Sequence, residues 1–80
     1  MHKVLFDQLV QVVATLRSED GCPWDREQTH ETLKSDLIEE TYEVIEAIDA
    51  RDAGKLREEL GDLLMQVILH GQIAKDRGDF

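Results

Sequence analysis

The 80-residue sequence contains one cysteine, one proline, one tryptophan and one tyrosine, and each scarcity excludes something. A single thiol, Cys22, cannot close an internal disulfide, so no covalent scaffold supports the fold and a reducing cytoplasm is the expected compartment. No stretch approaches the ~20 apolar residues that cross a bilayer. The N-terminal Met1-His2-Lys3-Val4-Leu5-Phe6-Asp7 lacks a signal-peptide core. Basic residues are also few: nine Lys and Arg stand against 18 Asp and Glu, a formal charge of −9. That balance argues against a nucleic-acid partner, which demands a basic surface. The chain is nevertheless 41% hydrophobic and 34% charged, the profile of one small folded domain rather than a disordered tail. Without disulfides or a Cys/His zinc cluster its core is small, and self-association is the available supplement.

Turn-forming residues divide the chain at two places, Ser18–Asp25 and Ala50–Gly54. The first segment, from about Lys3 to Arg17, carries Leu5, Leu9, Val12, Val13 and Leu16 at helical spacing. The second, from about Thr29 to Ala50, carries Leu33, Leu37, Thr41, Val44, Ile45 and Ile48 on one face. Asp25-Arg26-Glu27-Gln28 has the form of a capping box that starts an earlier turn. The third, from about Lys55 to Lys75, has a main stripe of Leu56, Leu60, Leu63, Leu64, Val67 and Ile68. No segment alternates as a strand does. The expected fold is all-α: an antiparallel helical hairpin plus an N-terminal helix. A second stripe on the third segment, Met65, Leu69 and Ile73, is expected to meet another subunit in an oligomeric helical bundle.

The acids are the most informative residues. Glu40 and Glu43 are three apart in the second segment, and Glu59 and Asp62 are three apart in the third, so each pair shares a helix face. Both Glu40–Asp62 and Glu43–Glu59 are centred on position 51, in the expected turn. An antiparallel hairpin therefore brings four carboxylates together between two helices. Few Lys or Arg residues are spaced to pair with them along their own helices. Uncompensated, such acids repel and their pKa values rise. A hard divalent cation relieves them, and all-oxygen ligation suits Mg²⁺ or Mn²⁺. A solvated acidic face is the alternative reading.

Gly21-Cys22-Pro23-Trp24-Asp25, Glu27-Gln28-Thr29-His30, Leu37-Ile38-Glu39-Glu40-Thr41-Tyr42-Glu43-Val44 and Glu58-Glu59-Leu60-Gly61-Asp62-Leu63-Leu64-Met65-Gln66-Val67 together resemble the MazG family of nucleoside triphosphate pyrophosphohydrolases. The match runs from about Leu16 onward, with EExxE followed by ExxD as the metal-binding signature. The resemblance implies Mg²⁺-dependent cleavage of a nucleoside triphosphate between the α- and β-phosphates, giving monophosphate and pyrophosphate. It implies homodimers or homotetramers and assigns Glu40, Glu43, Glu59 and Asp62 to the metal. Glu39 matches a further acid of the signature, a candidate for holding or deprotonating the attacking water. Two departures stand out: Thr41 replaces the usual Ala, and the family pattern continues past Phe80 into a helix bearing phosphate-contacting Lys and Arg. The expectation is one MazG-like domain over residues 1–80, with a domain fragment, a truncated gene product and one half of a two-domain protein as the open readings of its C-terminal end.

Substrate-binding candidates are Lys34, Lys55 and Arg57 for phosphates, against a plain solvated-surface reading, and Trp24 for stacking on a base. A lone Trp beside a Pro more often seals a loop against a helix, and Tyr42 reads as a packing residue. Glu27-x-x-His30 resembles half of a di-iron ligand set, but no second Glu-x-x-His is present. Cys22 reads as a small buried thiol. The alternative to a hydrolase is a catalytically impaired helical dimerisation module of the same fold.

Overall fold

The computed structural model describes residues 3–80, with side chains from Phe6 onward. Among them the chain forms four helices and no strand: α1 (Lys3–Leu16), α2 (Pro23–Glu27), α3 (Lys34–Asp49) and α4 (Ala53–Asp76). The all-α expectation holds. α3 and α4 pack along their length as a hairpin, and α1 packs on α4.

The hairpin register is set by a three-residue junction, Ala50 to Asp52. Asp52 N–H donates to Ala47 O and Arg51 N–H to Ile48 O, closing α3 with a Schellman motif. Arg51 takes the left-handed conformation this requires, φ 55°. Asp52 then caps α4, its carboxylate accepting from Lys55 N–H at 3.0 Å. One residue ends one helix and starts the next.

α3 begins later than its apolar spacing predicts. Thr29 and Thr32 exchange backbone N–H to hydroxyl bonds at 2.9 and 3.2 Å, a local alternative to helix that holds residues 30–33 as turns. The capping box expected at Asp25 is absent; α2 starts instead at Pro23 after an extended Cys22, which is half-buried. Arg17 secures this connection. Its guanidinium donates to the carbonyls of Asp25 and Gln28, at 2.6 and 2.9 Å, and pairs with Asp76 at 3.1 Å. Gly21 lies against the last carbonyls of α1, where a Cβ has no room.

The core corrects three stripe assignments. On α3 the buried residues are Val44 and Ala47, joined by Leu33 just before the helix, whereas Ile45 and Ile48 are exposed. The seam is therefore rotated toward Glu40, which enters it rather than flanking it. On α4, Ile73 is 1% exposed, so the stripe expected to face another subunit contributes the most deeply buried residue of its helix. Leu60 and Val67 of the expected main stripe are exposed instead. Periodicity along one helix cannot register that α4 is flanked on two sides within the same chain. Ile68 shares a hollow with Phe6 and Val10 of α1, while Arg17 reaches over to Asp76 beside Ile73. On α1, Val13 is fully buried and Val12 exposed; Leu5 lies outside the described side chains.

Candidate metal centre

The hairpin brings Glu40 and Glu43 of α3 to Glu59 of α4, each offering a carboxylate oxygen within 4.8 Å of the others. A second trio of the same tightness joins Glu58, Glu59 and Asp62. The four acids expected to meet thus form two overlapping groups that share Glu59. Asp62 stands with Glu58 and Glu59, though its charge still acts on Glu40. Glu58 is the acid the spacing argument passed over. Its signal was available, since it lies four residues before Asp62 on the same helix face.

Glu59 is only 2% exposed, an unusual position for a carboxylate. One oxygen pairs with Lys55 Nζ at 3.1 Å. This ion pair, four residues apart on α4, is the one same-helix cation partner of these acids among the described residues. With all acids ionised, Oε2 of Glu59 and Oε2 of Glu40 are buried without a hydrogen-bond partner. Buried charge in that condition is costly. The electrostatics register it. Sharing a hydrogen with Glu59, then burial, then the charges of Glu59, Glu40 and Glu39, push Glu43 up to about 7. Burial, followed by the charges of Asp62 and Glu59, raises Glu40. Glu59 is held below the usual carboxylate range by its hydrogen bonds from Glu43 and Lys55. Without a metal, one lysine and one shared proton partly neutralise the cluster.

Two orphaned, buried, anionic oxygens in an all-carboxylate setting fit a hard divalent cation. The arrangement has no sulfur or imidazole donor to favour a softer metal.

The remaining candidates lie outside the trio. Glu39 is exposed beside it. Lys34 and Arg57 are exposed, with no ion pair among the described residues. Trp24 is 58% exposed, so the loop-sealing role does not hold and its ring is open to solvent. Tyr42 is likewise exposed rather than packed.

Residues 28–80 match the family described as the MazG nucleotide pyrophosphohydrolase domain. The chain belongs to the MazG family. It is 57% identical over 77 residues to the nucleoside triphosphate pyrophosphohydrolase/pyrophosphatase MazG of Thermotoga maritima, covering 96% of this chain and 30% of that protein. It is 51% identical to the uncharacterized protein YabN of Bacillus subtilis, covering 94% of this chain and 15% of that protein. The nucleoside triphosphate pyrophosphohydrolase of Escherichia coli K12 is 49% identical over 75 residues, with 92% and 28% covered. The chain therefore spans less than a third of the length of these curated relatives. Of the five acids in its EExxE and ExxD segments, Glu40, Glu43 and Glu59 meet across the hairpin.

Sequence reasoning missed one further pairing. His30 and His70 meet Nδ1 to Nδ1 at 2.7 Å with parallel rings, tying the loop before α3 to α4. Burial, then the charge of His30, holds His70 below the usual histidine range. Among the described residues no helix is long and apolar enough to cross a membrane.

Proposed function

We propose that this MazG domain is a Mg²⁺-dependent nucleoside triphosphate pyrophosphohydrolase, with Mn²⁺ an alternative ion. The observation carrying the reading is the meeting of Glu40, Glu43 and Glu59 with two buried carboxylate oxygens left unpartnered. Glu40, Glu43, Glu59 and Asp62 would hold the ion, which supplies charge neutralisation of the polyphosphate and polarisation of the reacting phosphorus. That also reconciles a −9 chain with a polyanionic substrate.

The chain's own residues supply the rest. Glu39, exposed at the edge of the trio, holds the attacking water and takes its proton as the oxygen bonds to phosphorus. The bond from phosphorus to the bridging oxygen breaks, releasing monophosphate and pyrophosphate. Lys34, Lys55 and Arg57 are the candidate phosphate contacts, and the open ring of Trp24 is free to stack on a base. Incubation with Mg²⁺ and each NTP or dNTP should yield monophosphate and pyrophosphate together. Orthophosphate as the product would contradict the assigned bond.

The active form we infer is a homodimer or homotetramer. Ile38, Tyr42, Ile45 and Ile48 leave the face of α3 opposite the α4 seam apolar and exposed. The radius of gyration, 13.8 Å, exceeds the roughly 12 Å of a compact chain this long. That face also favours the second reading, a helical assembly module without turnover. Sedimentation and the hydrolysis assay separate them, since the module predicts association with no product.

A further inference from the structure

We infer that Lys55 is a resident counter-cation of the acid cluster, holding a carboxylate oxygen of Glu59 until a divalent ion displaces it and frees its ammonium for the polyphosphate. The inference rests on the metal reading above. It starts from a lysine placed against the ordinary rules of helix stability. Lys55 lies in the first turn of α4, where the helix dipole disfavours a cation. It also precedes its acid by four residues, the weaker order for such a pair. Neither choice benefits the helix, but both put the ammonium beside the least exposed carboxylate of the domain.

The geometry suits a movable charge. The root of the side chain is fixed, because Lys55 N–H is bound to the Asp52 carboxylate that caps α4. Its tip is not fixed: the side chain is 53% exposed and Nζ has one carboxylate partner, 3.1 Å away. A compact ammonium on a flexible four-carbon stem can leave such a position and be rehydrated at little cost. Glu59 cannot leave, being buried to 3% of its side chain, with its other oxygen already lacking a partner. A divalent ion entering between Glu40, Glu43 and Glu59 finds Oε2 of Glu59 unpartnered and, by neutralising the same carboxylate, loosens the hold of its Oε1 on Lys55. The cluster thus stays partly neutralised when empty. When filled, it has at its rim an ammonium that Glu59 no longer holds.

The test is Mn²⁺ titration by calorimetry without nucleotide on the wild-type protein, Lys55→Met, Lys55→Arg and Lys75→Met, the last removing the same charge from the far end of α4. Losing the competitor should tighten Mn²⁺ binding about three- to tenfold in Lys55→Met, with Lys55→Arg and Lys75→Met within about twofold of wild type. In steady-state assays at saturating Mg²⁺, Lys55→Met should raise the KM for the triphosphate more than it lowers kcat. Wild-type binding with equal or weaker affinity in Lys55→Met would overturn the displacement and leave the carboxylate site standing. No Mn²⁺ binding by the wild-type protein would overturn the metal reading itself, and the role of Lys55 with it.

Discussion

Near the turn, the α3–α4 seam holds Glu40, Glu43 and Glu59; farther along, the same seam is reached by Leu33 and Ile73, each about 1% exposed. Around the apolar end, Arg17 binds two carbonyls and Asp76, and His30 pairs with His70. Farther along α4, Gln66 Oε1 and His70 Nε2 are also buried without a partner. The acid end differs in kind: its two unpartnered atoms are carboxylate oxygens, and two of its pKa values are driven upward. The apolar end supplies the stability that lets the acid end be held in an unfavourable state. One helical pair thus divides into a part that holds the fold and a part whose carboxylates are left uncompensated.

The sharpest way to break this comparison is to exchange the consequences of mutation. Glu40→Gln should reduce triphosphate hydrolysis by roughly 10²- to 10³-fold. Its melting temperature in EDTA should be unchanged or higher, because a repelling charge is removed. Ile73→Ala should do the reverse, costing about 2–5 kcal/mol in urea unfolding while turnover per folded molecule persists. If Glu40→Gln unfolded the protein and Ile73→Ala left stability unchanged, the division would be wrong.

The division was only half legible in the sequence. The acid end could be read because i,i+3 spacing and symmetry about a turn are local rules, and Asp52 and Arg51 make that turn with adjacent residues. The apolar end could not. Arg17 meets Asp76 across 59 residues and His30 meets His70 across 40, and no spacing rule reaches that far. Ile73 was assigned outward because its helix was read without the neighbours that cover it. Lys55 is open to reading as a partner of Glu59 from its place four residues earlier, but the burial that gives this pair its weight is set by α3.

Stability against pH sharpens the contrast, because the two ends respond with opposite sign. Glu43 titrates near 7 in the folded chain and near 4.3 when unfolded, so the folded state holds more protons between those values. Metal-free stability should therefore fall as pH rises toward and through about 7, and Glu43→Gln should flatten that fall. His70 is held below its ordinary value of about 6.5, so the unfolded state binds its proton first. Its contribution should be lost as pH falls below about 6.5, and His70→Asn should remove that dependence. Urea midpoints between pH 5 and 8, in EDTA, measure both. A Glu43→Gln profile parallel to wild type would exclude the shared proton.

The smallest effect concerns the turn between the ends. Arg51 sits at φ 55°, where glycine is at ease, so Arg51→Gly should raise stability by about 0.5 kcal/mol. A loss would mean that the Arg51 side chain contributes more than its backbone costs.

The most direct measurement is anomalous diffraction from crystals soaked in Mn²⁺. The account predicts a peak bounded by carboxylate oxygens of Glu40, Glu43 and Glu59, absent from Glu40→Gln crystals treated alike. Saturating Mn²⁺ with no density among those three residues, or density only at exposed acids elsewhere, would contradict it.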